Sequence, residues 1–312
     1  MSASVAFVFP GQGSQSLGML AELGAQFPLV LDTFKEASDA LGYDLWALTQ
    51  QGPEEHLNQT DKTQPAILTA SIALWRLWLA EGGQRPAYVA GHSLGEYSAL
   101  VAAGSLSLAD AVKLVERRGQ LMQEAVPAGQ GGMAAILGLE DADVIAACAE
   151  AAQGEVVSAV NFNSPGQVVI AGAKAAVERA MELCKAKGAK RALPLPVSVP
   201  SHCELMRPAA ERFAASIANI DWQAPQIPLV QNVSASVVSD LETLKTDLLQ
   251  QLYKPVRWVE SIQALAREGA LQLVECGPGK VLAGLNKRCA DGVNTHNLNT
   301  PDAFAATLAA LA

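Results

Sequence analysis

The stretch Gly91-His92-Ser93-Leu94-Gly95 decides how the rest of this sequence is interpreted. The apolar residues 87–90 before it predict a short buried strand, and residues 96–103 after it predict a helix. A serine flanked by glycines on a strand-to-helix turn is the pattern of a nucleophile elbow. Glycine is needed because side chains at those two positions would collide in so sharp a turn. The simpler alternative is a Gly-Ser turn that only reverses the chain.

Composition limits the class of protein and its partners. The chain has 312 residues, enough for a large core, and 50% are hydrophobic while 17% are charged. The formal net charge of −9 argues against nucleic acid or an anionic membrane surface as a partner. The start of the chain has no basic segment, and no stretch approaches the ~20 apolar residues of a membrane span. We therefore expect a globular enzyme with no nucleic-acid or membrane partner.

The cysteines predict a reducing compartment. They are odd in number and scattered, with no CxxC pair, which favours free thiols in the cytoplasm over disulfides or a zinc site. No metal and no tightly bound cofactor is expected. The five cysteines are Cys148, Cys184, Cys203, Cys276 and Cys289.

A second glycine-rich loop follows the first predicted strand, Val5–Phe9. The loop is Pro10-Gly11-Gln12-Gly13-Ser14-Gln15, and a helix is expected near Leu17. A dinucleotide fingerprint is incomplete here, because Ser16 stands where the third glycine belongs. The loop instead predicts that Gln12 presents its backbone N–H to a nearby oxygen, as an oxyanion hole requires. A plain strand-to-helix connection is the alternative.

Residues 28–83 are predicted to be mostly helical, with Thr63-Gln64-Pro65-Ala66 starting one helix. A later helix begins after Ser107, which forms a capping pattern with Asp110. Helical spacing puts Arg118 on the apolar stripe of that helix, while its neighbour Arg117 lies on the polar face. A buried guanidinium needs an anionic partner. That partner is either a substrate or a structural ion pair, and snorkelling is a third interpretation.

Residues 129–132, Gly-Gln-Gly-Gly, break the chain like a hinge, and the order of predicted elements changes after them. Residues 133–199 predict β-α-β-β-α-β, the order of a ferredoxin-like unit. Glycine or proline at both ends suits a small domain inserted into a larger one. Residues 229–230 and 271–276 are expected to be the last strands.

Ser201-His202-Cys203-Glu204 resumes the main domain. Ser201 and Glu204 have the spacing of a capping box, which predicts His202 in the first turn of a helix. The positive helix end disfavours imidazolium, so a neutral base is expected. Of the four histidines, His202 is the preferred partner for Ser93, although a lone histidine is often structural. No acid after it has a decisive setting, so what orients the imidazole stays open.

Several blocks of sequence together resemble one enzyme family. They are Phe9-Pro10-Gly11-Gln12-Gly13-Ser14-Gln15, Thr63-Gln64-Pro65-Ala66, Gly91-His92-Ser93-Leu94-Gly95-Glu96-Tyr97, Arg118-Gly119, Asn161-Phe162-Asn163-Ser164-Pro165-Gly166, Val199-Pro200-Ser201-His202 and Gly277-Pro278-Gly279-Lys280-Val281-Leu282. They resemble the malonyl-CoA:acyl carrier protein transacylases of bacterial fatty acid synthesis, over residues 5–288. The resemblance implies an α/β fold, with a hydrolase-like core around a mostly parallel central sheet (residues 1–127 and 200–312). Residues 128–199 are implied to be an inserted ferredoxin-like subdomain.

The resemblance also implies site roles. Ser93 is the implied nucleophile and His202 its base. The implied oxyanion donors are the backbone N–H groups of Gln12 and Leu94. Three more roles follow from the resemblance: a grip on the free malonyl carboxylate (Arg118), a main-chain carbonyl that orients the histidine (Gln251) and a contact with the thioester substrate (Asn163).

The implied reaction is ping-pong transfer of malonyl from malonyl-CoA to the phosphopantetheine thiol of acyl carrier protein, by a cytoplasmic monomer that needs no cofactor. A serine esterase or thioesterase with the same Ser-His pair is the alternative, and a nucleotide-binding module is a third. Acyl carrier proteins are usually acidic, so docking on this acidic chain needs a local basic patch. The candidates are Lys280, Lys287 and Arg288 after the last glycine-rich turn, and Lys187, Lys190 and Arg191 near a helix end. A plain solvated face is the other interpretation.

Overall fold

The computed structural model of the chain describes residues 4–197 and 199–312. Residues 1–3 and Ser198, which the sequence-based boundaries include, lie outside the described residues. The strands are β1 (Val5–Phe9), β2 (Tyr88–Gly91), β3 (Gly131–Leu137), β4 (Val157–Ser164), β5 (Gln167–Ala173), β6 (Arg191–Pro194), β7 (Leu229–Val230), β8 (Val237–Val238), β9 (Gln272–Glu275) and β10 (Asn294–Asn297).

The helices surround two sheets. They are α1 (Ala21–Gln26), α2 (Pro28–Leu41), α3 (Leu45–Gln51), α4 (Glu54–Leu57), α5 (Thr60–Ala80), α6 (Gly95–Ala102), α7 (Leu108–Ala125), α8 (Asp141–Ala152), α9 (Lys174–Ala186), α10 (Arg207–Ala218), α11 (Leu241–Gln251), α12 (Trp258–Arg267), α13 (Val281–Asn286) and α14 (Pro301–Ala310), with a 3-10 turn at Glu204–Met206. Within the described residues, no helix is both long and apolar enough to cross a membrane.

The larger sheet has the strand order β10-β9-β1-β2-β7-β8. Neighbouring strands pair in parallel, except that β8 runs antiparallel to β7. Its central strands are apolar because both faces are covered. Phe7 and Phe9 of β1 pack into one core, whereas Ala6 and Val8 pack into another. The predicted α/β class with a mostly parallel sheet is confirmed.

The direction of these strands places three loops together. β1, β2 and β7 are neighbours and run parallel, so their carboxyl ends meet at one edge of the sheet. Phe9 at the end of β1 pairs in register with Gly91 at the end of β2. Ligands of open α/β sheets bind at this edge. The Gly11 loop, the Ser93 turn and the segment after Val230 therefore converge there.

The smaller sheet is antiparallel and has the order β4-β5-β3-β6. Helices α8 and α9 cover it, and it has its own core, which includes Ile136, Ile170 and Met181. The elements follow one another as β-α-β-β-α-β along the chain. Backbone hydrogen bonds join this sheet to the rest of the molecule, because Val256 N donates to Val160 O at 2.8 Å and Phe162 N donates to Val256 O at 3.0 Å.

Two predicted helix starts are wrong. The helix expected near Leu17 begins at Ala21, after a run of turns. The helix expected to start at Thr63 begins at Thr60, so Pro65 lies inside α5. Proline has no N–H, so α5 lacks one main-chain hydrogen bond at Pro65, although the helix continues through this buried position.

The expectation that residues 271–276 hold the last strand is wrong, because the edge strand β10 follows them. It pairs in parallel with β9, with His296 opposite Val274. Its sequence, Asn294–Asn297, has no apolar alternation, because it lies at the edge of the sheet and is only half-buried. Periodicity therefore gives no signal for it.

Helix α7 carries Arg118 into the interior, as its spacing predicts. The Ser107 hydroxyl accepts a hydrogen bond from Asp110 N at 3.0 Å, which confirms the predicted cap. Arg118 is 1% exposed. Gly119 lets α7 lie close to α5, since a Cβ there would come within 2.5 Å of the Asp61 Cα. The close packing of the two helices brings the guanidinium next to Gln64.

Candidate active site

Ser93 lies on a sharp turn that requires glycine two residues before it and two residues after it. Its φ is +52°, in the left-handed region that side chains rarely adopt. A Cβ at Gly91 would overlap the backbone of Gly95, and a Cβ at Gly95 would overlap the carbonyl of Phe9. The turn joins β2 to α6. This is the strand-turn-helix context that a nucleophile elbow requires.

His202 lies next to the serine. Its Nε2 is 2.8 Å from Ser93 Oγ, and its Nδ1 is 2.6 Å from the main-chain oxygen of Gln251. A carbonyl only accepts, so Nδ1 carries the proton and donates to Gln251. Nε2 is then free to accept the hydroxyl proton of Ser93. The arrangement is a serine paired with a neutral base that a backbone carbonyl holds in place.

The predicted setting of His202 in a helix is wrong. The residue has φ of +66° and lies in a turn before the 3-10 turn, while α10 begins only at Arg207. Glu204 does not cap a helix, because its carboxylate pairs with the Arg207 guanidinium at 2.7 Å. The backbone N–H of His202 donates instead to Leu252 O at 3.0 Å. A contact between distant segments thus replaces the local cap.

The neutral state of His202 has a different cause from the one predicted. Burial and the positive charge of Arg118 lower the pKa of the imidazole from its usual 6.5 to about 3. His202 is 3% exposed. The interior and the neighbouring arginine, not a helix end, keep this base unprotonated at neutral pH.

Arg118 reaches the same oxygen from the other side. Its Nη2 is 3.3 Å from Ser93 Oγ and donates to Gln251 Oε1 at 2.9 Å, while Nη1 donates to Gln64 Oε1 at 2.8 Å. Both amide oxygens are neutral. Among residues 4–197 and 199–312, no carboxylate lies within salt-bridge distance of this guanidinium.

The nearby carboxyl of Glu96 does not neutralise Arg118. Burial raises the pKa of Glu96 from 4.5 to about 8, so the group is mostly protonated at pH 7. The guanidinium packs near the Tyr97 ring, with Cζ 5.5 Å from the ring centroid. Burial lowers the pKa of Arg118 itself, but a guanidinium stays charged at any ordinary pH. The site therefore holds a desolvated positive charge that is coordinated only by neutral groups.

The first glycine loop lies against the elbow. A Cβ at Gly11 would come within 2.5 Å of His92 O, and His92 N donates to Phe9 O at 2.9 Å. In the described part of the chain, the backbone N–H groups of Gln12 and Leu94 donate to no other group. The structure thus brings two uncommitted backbone donors into the loops that meet beside Ser93.

Asn163 comes from β4 of the smaller sheet. Its Oδ1 is 2.7 Å from His92 Nε2, and its side chain is buried. His92 also packs against the Trp258 ring, with centroids 5.4 Å apart. Asn163 therefore contacts the elbow through His92 and not through Ser93.

Lys287 and Arg288 lie apart from the serine, after α13. Both are exposed. Arg288 Nη2 donates to Pro165 O at 2.7 Å, so its side chain ties α13 to the turn between β4 and β5. The two cations are not part of the Ser93 cluster.

Sequence reasoning missed three polar residues of the site. Gln64 holds Arg118, Asn232 bonds the backbone around Ser93, and Glu96 bonds the Asn232 segment. Asn232 offered one signal, because it follows a predicted strand at the edge where the loops converge. Gln64 and Glu96 stand in the blocks quoted above, but their positions alone assign them no contact.

No group of three histidine, cysteine or acidic side chains in the described residues has the arrangement to hold a metal ion. The five cysteines are free and buried.

Comparison with known proteins identifies the family. The chain matches the acyl transferase domain family over residues 6–300. The chain belongs to the acyl transferase family. Within the family it is similar to the malonyl CoA-acyl carrier protein transacylase of Salmonella typhimurium, with 62% identity over 303 residues, which cover 97% of this chain and 98% of that one. As a member it is an acyltransferase, as predicted.

Solved structures of the family have the same fold. An acyl carrier protein S-malonyltransferase from Vibrio cholerae O1 superposes with a TM-score of 0.95 and 59% identity, over 98% of this chain and 100% of that chain. A malonyl-transacylase in complex with its type II polyketide synthase acyl-carrier protein gives a TM-score of 0.97 and 56% identity, over 99% of this chain and 100% of that one.

Proposed function

We propose that this acyltransferase moves the malonyl group from malonyl-CoA to the phosphopantetheine thiol of acyl carrier protein, through a malonyl ester on Ser93. One observation carries the proposal: the Arg118 guanidinium lies 3.3 Å from the Ser93 oxygen and has no ionised partner among the described residues. An acyl group with a carboxylate of its own fits, because the ester forms at Ser93 while the carboxylate meets Arg118. The relatives' names support the same donor and acceptor.

In the first half-reaction, His202 Nε2 accepts the Ser93 proton as Oγ attacks the thioester carbon. The backbone N–H groups of Gln12 and Leu94 stabilise the oxyanion, and one such donor is typically worth ~10²–10³ in rate. The carbon–sulfur bond then breaks, and coenzyme A leaves with the proton that His202 held. Gln251 O accepts from Nδ1 throughout and so stabilises the imidazolium at no cost in geometry.

In the second half-reaction, the carrier's thiol gives its proton to His202 and attacks the malonyl ester. Ser93 regains the proton as its ester bond breaks, and malonyl leaves on the carrier. We assign Asn163 a contact with the thioester arm, because it lies beside the elbow on the smaller sheet. Neither half-reaction needs a metal or another cofactor.

The proposal includes the organisation of the chain. Residues 1–127 and 200–312 form a hydrolase-like catalytic subdomain, and residues 128–199 form a small ferredoxin-like subdomain. The separate core of the smaller sheet and its strand order support this division. The free thiols support a cytoplasmic location. The monomeric state stays a prediction.

Intact-protein mass spectrometry tests the function. We expect malonyl-CoA to add one malonyl group to the wild type and none to Ser93→Ala. The adduct should persist in buffer and disappear when phosphopantetheinylated carrier protein is added. An adduct that decays in buffer alone would instead show a serine esterase or thioesterase. No adduct on the wild type would contradict both.

A further inference from the structure

The strained turn at Ser93 is held by a side chain from another segment. Asn232 Oδ1 accepts from Ser93 N at 2.7 Å, and Asn232 Nδ2 donates to Gly91 O at 2.7 Å. The two bonds grip the backbone on either side of His92. They leave one orientation for the amide, because its oxygen faces a donor and its nitrogen faces an acceptor.

The position of Asn232 explains why a side chain is used. The parallel ladder between β2 and β7 ends at the pair Ala90 and Val230. Beyond that pair, β2 turns sharply into the elbow and its backbone leaves the ladder. The Asn232 amide continues the hydrogen bonding where main-chain pairing has stopped. It is completely buried, so water does not replace these bonds.

Glu96 connects Asn232 to Gln251, the residue whose main-chain oxygen orients His202. Its Oε1 accepts from Asn232 N at 2.9 Å, and its Oε2 accepts from the Gln251 side-chain amide. The same Gln251 amide donates to Ser93 O at 3.0 Å, and the Gln251 main-chain oxygen accepts from His202. One buried carboxyl therefore links the segment that grips the serine to the residue that orients the histidine.

We propose that Asn232 and Glu96 are positioning residues, which together set the 2.8 Å approach of Ser93 Oγ to His202 Nε2. Neither side chain makes a hydrogen bond to Ser93 Oγ or to the imidazole. Asn232 fixes the backbone that carries the nucleophile. Glu96 fixes the distance between that backbone and Gln251. The inference rests on the proposed roles of Ser93 and His202.

The test measures the reactivity of Ser93 without its acyl substrate. A small fluorophosphonate reacts by serine attack at phosphorus, with loss of fluoride and transfer of the hydroxyl proton to His202. We expect Asn232→Ala to slow this reaction by about 10²-fold, the typical effect of a misplaced reacting group. The kcat for malonyl transfer should fall by a similar factor, while the KM for malonyl-CoA stays unchanged.

Matched controls separate positioning from a general loss of stability. Asn286 is also completely buried, and its amide oxygen accepts from Trp258 Nε1 at 2.9 Å. Trp258 packs against His92, but Asn286 makes no hydrogen bond to the backbone of residues 91–95. Asn286→Ala should leave the phosphonylation rate near that of the wild type. Equal slowing by Asn232→Ala and Asn286→Ala would overturn the proposal.

Glu96 gives a second, gentler variant. Glu96→Gln keeps an oxygen for the Asn232 N–H but turns an NH2 group toward the Gln251 amide donor, whereas Glu96→Ala removes both acceptors. We expect the glutamine variant to recover part of the rate lost in the alanine variant, because it restores the bond to Asn232 but not the bond to Gln251. Glu275→Gln is its control, because Glu275 is as deeply buried but accepts from the start of α13. Equal rates for both Glu96 variants would contradict the proposal, and the glutamine variant decides if Asn232→Ala does not fold.

Failure of the inference is distinct from failure of the function. A wild type that takes no malonyl group on Ser93 would contradict the proposed function. If the wild type is malonylated and the Asn232 and Glu96 variants are phosphonylated as fast as the wild type, only the positioning roles are contradicted.

Discussion

At the scale of single residues, the chemistry of His202 is set by what surrounds it. The ring is buried and faces a permanent positive charge at Arg118, and both disfavour a second positive charge. The base is thus ready to accept a proton over a wide pH range. Its weakness as a base is offset by the backbone carbonyl of Gln251, which stabilises the imidazolium once it forms.

The pH dependence of acylation follows from the lowered pKa of His202. The imidazole of the free enzyme takes up its proton only near pH 3, so malonylation of Ser93 should stay nearly constant from pH 7 down to about pH 5. Single-turnover malonylation followed by mass spectrometry measures this directly. A decline with a midpoint near 6.5 would show instead that the ring titrates as it does in water.

The same lowered pKa affects the free energy of unfolding. Between the unfolded pKa of about 6.5 and the folded pKa of about 3, the unfolded chain binds a proton at His202 that the folded chain does not. This histidine therefore lowers stability as the pH falls through that window. Denaturant unfolding of the wild type and His202→Gln should show a smaller loss at acid pH for the variant. An identical pH dependence would contradict the assignment.

Arg118 should decide which acyl group is used. An acetyl group leaves its charge buried without a partner, and such an unsatisfied site can reject a substrate by ~10⁴. Arg118→Ala should therefore cut malonyl transfer far more than acetyl transfer, as measured by kcat/KM with both donors. Arg117→Ala is the matched control, because that half-exposed neighbour bonds Gln120 and Glu124 on its own helix. Equal losses with both acyl groups in Arg118→Ala would remove the proposed role.

Sequence patterns located some of these residues better than others. Ser93 and Arg118 were predicted from local spacing, because the turn and the helix face are properties of neighbouring residues. Asn232 was missed because its partner Ser93 lies 139 positions away. Gln251 was named only through resemblance, since the contact uses its main-chain oxygen, which every residue type carries.

At the scale of elements, the start of α6 at Gly95 packs closely against the end of β1 at Phe9, and a substitution at Gly95 tests this packing. Gly95→Ala would place a methyl group on the Phe9 carbonyl, where backbone has no room to move. We expect this variant to lose Ser93 acylation and to melt well below the wild type. Gly284→Ala in α13 is the control, because a Cβ there meets nothing within 4 Å and alanine favours a helix by roughly 0.5–1 kcal/mol. Normal acylation by Gly95→Ala would contradict the close packing.

Regular elements were predicted well where the pattern was local and apolar. From β3 to β6 the elements follow the predicted order β-α-β-β-α-β. Errors arose where a distant contact overrode a local one. Glu204 had the spacing of a cap, yet its carboxylate accepts from Arg207. The conformation at His202 is held instead by the bond from its backbone N–H to the distant Leu252 O. The half-buried polar strand β10 had no pattern to recognise.

At the scale of the whole molecule, the net charge of −9 would repel an acidic carrier protein unless a local basic patch receives it. Lys287 is exposed after α13, and we expect Lys287→Glu to raise the KM for the carrier protein but not for malonyl-CoA. Arg288→Glu should do the same and also break the bond to Pro165 O. Lys35→Glu on α2 is the control, because that exposed lysine pairs with Asp39. Carrier kinetics as unchanged in Lys287→Glu and Arg288→Glu as in the control would remove residues 287–288 from the interface.

The charge buried at Arg118 also makes the free enzyme less stable to unfolding than the malonylated enzyme. The hydrogen-bond partners of the guanidinium within the described residues are neutral: the amides of Gln64 and Gln251 and the Ser93 hydroxyl. Much of the cost of its desolvation therefore remains until an anion binds. The malonyl carboxylate should pair with the guanidinium and offset that desolvation cost, so the malonylated protein should be more stable to heat than the free protein. Calorimetry should show a higher Tm for the malonyl form and no comparable gain for an acetyl form. The malonyl group would then stabilise the fold that holds it, and this added stability would be lost when the carrier's thiol takes the malonyl group.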